Sequence, residues 1–173
     1  TLQHLCDVML KNTTPVYFID WCLFTALGME EHVGNIQFIC ATDTFYGQHP
    51  NIFVPKTFQY NHAIHSEQIL NDLLKNAEVR THIQSRGAGK LLTWLLDEET
   101  EQLAAELNLE ICLPPVQLRA YWDNKINTNR LAKEAGVPCL PYILSPIEDY
   151  AHLRSITTHF GKELVVQMPH GMS

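Results

Sequence analysis

Lys125 is the residue whose type and place ask most clearly for chemistry. It lies in "WDNKINTNRLAKEAGVPCLPYILS", Trp122 to Ser145. Asp123 or Asn124 can cap a helix here, and Gly136 followed by Val137 and Pro138 can end it. Thr128, Leu131, Ala132 and Ala135 fall at helical spacing, so one face is expected to pack inward. Lys125 then falls in the first turn, among backbone N–H groups that a helix leaves unpaired. A cation there costs roughly a few tenths of a kcal/mol to one. The same cation beside those amides suits a phosphate oxygen, because both fields act on the anion in one sense. An exposed lysine tolerated at that small cost is the plainer alternative.

Other chemistry-bearing residues fit structural roles. "RGAGK", Arg86 to Lys90, has the look of a phosphate loop but fails on spacing. Gln84 stands where the first glycine is required, and Leu91 where Ser or Thr would hold a metal. As a dinucleotide fingerprint it needs a small residue at Leu92, so a turn is expected. Of nine histidines, His62 and His65 sit together in "HAIH", with no carboxylate or cysteine spaced to complete a zinc site. Surface histidines are expected there. Tyr17, Phe18, Trp21 and Phe24 fall in a strand and the helix expected after it, where core packing outweighs a base-stacking platform. Asp97, Glu98, Glu99 and Glu101 crowd a helix start, which accounts for them without an acid/base pair. No glycine-flanked nucleophile elbow occurs, and no catalytic residue is visible.

The elements that must position these groups read as α/β. "TLQHLCDVMLKN" has the spacing of an amphipathic helix. "PVYFID" and "NIQFICA" are strands, with Asp20 a candidate helix cap between them, and "NIFVP" is a third. A helix is expected from Ser66 to about Gln84. "KLLTWLL", "DEETEQLAAELNL" and "EICLP" then spell strand, helix, strand, the grammar of a parallel sheet with its crossover. Pro114-Pro115 marks a domain boundary, giving 1–115 and 116–173. Past the Lys125 helix, "CLPYIL" reads as a strand. "SPIEDYAHLRSITTHFG" reads as a helix capped by Ser145, with Pro146 first, Glu148 closing the box and Gly161 at the end. "ELVVQMPHGMS" reads as a strand entering a loop.

Composition bounds the partners. The chain has 173 residues, 46% hydrophobic and 18% charged, as a globular protein with a sizeable core should. A net charge of −7 argues against a nucleic-acid surface or an anionic membrane, though not against a local anion pocket. No apolar run reaches the length of a membrane span. Cys6, Cys22, Cys40, Cys112 and Cys139 are odd in number and scattered, so buried thiols in a reducing, cytoplasmic setting are expected. The start at Thr1 and the stop within "PHGMS" read as cuts in a longer protein.

The order "DNKINTNRLAKEAGVPCLPY", capped helix, "FGKELVVQMPHGMS" resembles the start of an ATP-grasp fold, as in biotin carboxylases and related carboxylate ligases. The resemblance covers 118–173, about a third of the chain. It implies a Rossmann-like pre-ATP-grasp domain ahead of a truncated ATP-grasp domain. The parent would activate a carboxylate with ATP and Mg²⁺ as an acyl-phosphate for attack by an amine or another nucleophile. It would take a nucleotide and a carboxylate as small-molecule partners, and a homodimeric parent is allowed. The resemblance makes Lys125 the lysine that reaches the ATP phosphates. Gln167 falls where a second phosphate-binding lysine is usual, and it can donate hydrogen bonds but brings no charge. His170, Gly171, Met172 and Ser173 match the start of the loop over the triphosphate. The metal-holding residues would lie beyond Ser173, so these 173 residues alone are expected to be catalytically inactive. A non-catalytic nucleotide-binding or protein-interaction module with the same fold is the alternative.

Overall fold

A computed structural model describes residues 2–59, 66–161 and 163–170. The chain forms two compact units, Thr1–Val116 and Gln117–Ser173. In the first, α1 (Leu2–Leu10) precedes β1 (Val16–Asp20), β2 (Ile36–Cys40) and the short β3 (Ile52–Phe53). Helices α2 (Ser66–Lys75) and α3 (Ala77–Arg86) lead to β4 (Gly89–Leu92), α4 (Glu98–Glu106) and β5 (Leu109–Ile111). The five strands lie in the order β3-β2-β1-β4-β5 and every pairing is parallel. This is a Rossmann-like α/β sheet. The chain winds outward from β1 in one direction, then returns to β1's other side at β4.

Alternation along β1 explains the two cores. Tyr17 and Ile19 face one way, among Leu70, Leu73, Leu74, Val79 and Leu103 of the helices. Val16 and Phe18 face the other, with Phe38, Leu23 and Ala26. A parallel strand buried on both faces must be apolar throughout, and each fully buried side chain of this size contributes about 1.5–3 kcal/mol. The buried Tyr17 hydroxyl donates to the Gly87 carbonyl at 2.7 Å. Gly87 itself has φ 102°, and a Cβ at Gly89 would collide with the Pro15 carbonyl. These two positions explain "RGAGK" as the turn that delivers β4 beside β1.

Several elements differ from the sequence reading. The helix expected from Ser66 to Gln84 is two, because the Asn76 side chain accepts from the Glu78 and Val79 amides and starts α3 afresh. β4 stops at Leu92, leaving Thr93 to Leu96 as a loop instead of strand, with Trp94 half-exposed. No α-helix follows Asp20; residues 21–34 are turns with a single 3-10 turn at Met29–Glu31. Trp21 and Phe24 are consequently exposed, unlike the buried Tyr17 and Phe18. Cys22 and Cys40 are buried, whereas Cys112 and Cys139 are exposed.

The second unit holds α6 (Lys125–Glu134) and α7 (Tyr150–Ile156), preceded by α5 (Val116–Trp122), which begins on the last residue of the first unit. α5 was not legible beforehand. Its first amide, that of Val116, donates to Glu101 at 2.9 Å. Neither "CLPYIL" nor 163–168 forms a strand. A strand exists only as part of a ladder, and neither segment has a ladder partner among the described residues. α7 begins at Tyr150 because Asp149, not Ser145, caps it: Asp149 accepts from the His152 amide at 2.7 Å. Ser145 Oγ donates instead to the Pro146 carbonyl. Ile147 stays exposed, so no burial offsets the cost of a helical first turn at 146–149. No described residue beyond Val116 is buried, and the face of α6 expected to pack inward is half-exposed to exposed.

Candidate functional site

Of the residues singled out in the second unit, Lys125 and His170 lie near one another at the start of α6. Asn124 is the N-cap, and its side-chain oxygen accepts from the Ile126 and Asn127 amides at 3.0 and 3.4 Å. The Lys125 amide donates to the Pro169 carbonyl at 2.9 Å. Asn124 Nδ2 lies 3.3 Å from His170 Nε2. Two segments 44 or more residues apart in sequence are thus drawn together at the half-buried Lys125. Gln167 is exposed, two residues ahead of this contact. Gly171, Met172 and Ser173 lie outside the described residues, as do His62 and His65.

One expectation needs correction here. The first amides of α6 are not unpaired: those of Lys125, Ile126 and Asn127 are all satisfied within the chain. A nucleotide phosphate at this turn would rely on side chains, or would have to displace Pro169 and Asn124. Lys125 and His170 suit an anion. No group of three or more His, Cys, Asp or Glu that could hold a metal occurs among the described residues. What this turn offers an anion is therefore side chains, those of Lys125 and His170, and not free amides.

A different set of groups lies at the carboxyl edge of the sheet, where β1 and β4 part company. The last pair of β1 with β4 is Phe18 with Leu92. Two residues past that pair stand Asp20, the last residue of β1, and Trp94, on the loop after β4. Asp20 Oδ1 accepts from the Trp21 amide at 2.7 Å, and Oδ2 from the Thr25 hydroxyl at 3.1 Å. Trp94 Nε1 donates to the same Thr25 oxygen at 2.8 Å, and its ring meets Phe18 edge-on at 5.9 Å. Burial raises the Asp20 pKa above the ordinary carboxylate value, and the Trp21 and Thr25 hydrogen bonds pull it back only in part. Beside it, burial and then the charges of Asp20, Cys22 and Asp43 push the Cys40 thiol up to about 12. Cys40 is no nucleophile at neutral pH. The sequence signal was available, an aspartate ending the first strand with a tryptophan after it, but it equally fits a helix cap.

A shallow cavity of about 400 Å³ lies between β3 and α3, lined by Phe53, Ala77, Glu78, Thr81, His82 and Ser85. Its polar groups are mostly engaged. Glu78 accepts from the Lys56 and Thr57 amides, and Thr81 and Ser85 donate to carbonyls of their own helix. His82 stacks on Phe53 at 4.1 Å, and burial, then Arg86, lowers its pKa. A neutral imidazole in an open, mostly apolar dish offers little recognition chemistry.

Among the described residues, no helix is long and apolar enough to cross a membrane. Comparison with protein-family models, with curated proteins and with solved structures finds no match.

Proposed function

We propose that the chain is the leading part of an ATP-grasp ligase: a Rossmann-like pre-ATP-grasp unit, then the first part of the nucleotide-binding module. The observation that carries this reading is the meeting of the 169–170 loop with the first turn of α6, at the Lys125 amide and the Asn124 side chain. That loop and that lysine are the two phosphate-binding pieces the family order requires. ATP, when bound, would supply the phosphoryl group that turns a carboxylate into an acyl-phosphate. This chain's part is to bind and orient it: the Lys125 ammonium neutralises phosphate charge, and Gln167 and His170 donate hydrogen bonds. No metal step is assigned to these residues. The satisfied amides of α6 favour a second reading, a module that keeps the arrangement without turning over nucleotide.

In the full-length parent protein, calorimetric titration with ATP separates wild type from Lys125→Ala; these 173 residues alone are expected to bind ATP weakly. Affinity is expected to fall roughly tenfold, the scale of one lost charge-assisted contact, with the thermal midpoint nearly unchanged. Equal affinity in the two proteins rules out the phosphate role of Lys125.

A further inference from the structure

We propose that the carboxyl edge of the sheet, between β1 and β4, binds a small organic cation, an alkylammonium ion paired with the Asp20 carboxylate beside the Trp21 and Trp94 indoles. The inference goes beyond the ligase reading and stands without it.

The topology places the site. In an open parallel sheet, ligands bind outside the carboxyl ends of the strands where the winding reverses. Here that point lies between β1 and β4, since β2 and β3 extend one side of β1 while β4 and β5 extend the other. Asp20 closes β1 at this point. The chain that leaves β1 makes turns and not an α-helix over residues 21–34, and the Asp20 side chain at the strand end stays partly exposed.

The chemistry selects the ligand. Asp20 is half-buried, and the groups acting on it are an amide and a hydroxyl; no cation among the described residues balances it. Asp43, on the loop after β2, adds to the negative field, as its influence on Cys40 shows. An anion is therefore repelled. A metal ion needs several hard ligands converging, and no such group is present among the described residues. A positively charged organic group needs one carboxylate and an aromatic face. Trp94, bonded to the same Thr25 hydroxyl as Asp20, supplies an indole that is 52% exposed, and Trp21, next to Asp20 in the chain, carries a second that is 46% exposed. The Trp94 ring is held in orientation by its bond to Thr25 and its edge contact with Phe18. A preorganised ring loses little freedom on binding.

Three tryptophans make the test readable: Trp21 and Trp94 at the site, and Trp122 in the second unit. The chain is titrated with n-butylammonium, n-butanol, butyrate and Mg²⁺ while the indole ¹H–¹⁵N resonances are followed. Butylammonium is expected to shift Trp21 and Trp94 saturably and leave Trp122 in place, with butanol, butyrate and Mg²⁺ at least about tenfold weaker. Asp20→Asn should weaken butylammonium about tenfold. Trp94→Phe, a milder variant that keeps an aromatic ring, should weaken it severalfold. Binding of butylammonium should also fade as pH drops and Asp20 takes up a proton. Unchanged affinity in Asp20→Asn, equal affinity for butanol, preference for Mg²⁺, or no response to butylammonium overturns the proposal. Lys125→Ala provides the separation from the ligase reading: it should alter ATP binding and leave butylammonium binding untouched. Loss of the amine site with ATP binding intact defeats only the present inference, and the converse defeats only the other.

Discussion

Leu73 and Leu140 are leucines in two segments patterned for burial, and they end at opposite extremes. Leu73, on α2, is fully buried against the sheet, while Leu140 in the second unit is 87% exposed. The difference is one of layers. The first unit has a sheet whose two faces are covered, one by helices and one by the turns of residues 21–34 and their neighbours. The second has most of α5, helices α6 and α7 and two apolar segments, with no ladder between them among the described residues. An apolar pattern marks a segment as able to be buried; burial itself needs a second surface. The first unit thus has what a cooperative fold needs; in the second, caps and the few hydrogen bonds that tie 169–170 to the start of α6 stand in for a buried core.

Leu73→Ala should give the largest effect. It removes a side chain from the centre of the helix-covered core, so a loss of about 2–5 kcal/mol is expected, measured as a fall in the urea midpoint of the far-UV transition. A loss under about 1 kcal/mol would mean that this core carries little of the stability, and the contrast between the units would fail.

The aspartate that ends β1 and the one that follows β4 sharpen the contrast between a site and a scaffold. Asp97 starts α4 through a capping box with Thr100, and both of its oxygens also accept from the buried Asn71, at 3.0 Å. Burial works against its charge. The bonds from Asn71 and from the Thr100 amide and hydroxyl nevertheless outweigh burial and hold its pKa below the ordinary value. Asp20 has fewer donors and the opposite shift. Asp97→Ala should cost about 2 kcal/mol, for a lost cap and an orphaned buried amide. The signs with pH then oppose each other. The Asp97 contribution is present above its unfolded pKa, so it is lost as pH falls through that value toward the lowered folded one. For Asp20, the folded state holds the proton more tightly, so stability falls as pH rises from the ordinary value through the raised one. Asp20→Asn should therefore stand level with or above wild type at pH 7, with any advantage shrinking in acid. Urea midpoints at pH 7 and pH 4 check Asp20, and a further one at about pH 2.5 checks Asp97, whose window lies below the ordinary carboxylate value; gaps of one sign would erase the distinction.

What could be read beforehand follows the same division. β1 and β2 were legible because a run buried on both faces carries its own signature, and β4-α4-β5 because two short apolar runs flank a helix whose start is marked by Asp97 and its acidic first turn. The cap of α6, narrowed to Asp123 or Asn124 and found at Asn124, and its end at Gly136, with φ 71°, were legible because they are local. Competition between local signals was not: Asn76 splits one expected helix into two, and Asp149 displaces Ser145. Partnerships across the chain were invisible. Thr25 and Trp94, which make the Asp20 edge more than a helix start, are 69 residues apart. The Pro169 carbonyl that occupies the Lys125 amide lies as far from view.

The smallest expected effect belongs to the second unit. Leu140→Ser and Val165→Ser replace side chains that are 87% and 85% exposed, so each should move stability by less than about 0.5 kcal/mol. The urea midpoint is the measure again, now with Leu73→Ala as the reference on the same scale. The two changes should also reduce self-association at high concentration, because they remove exposed apolar surface. A cost above about 1 kcal/mol from either serine would show that these segments are covered in solution, and that the second unit has a layer after all.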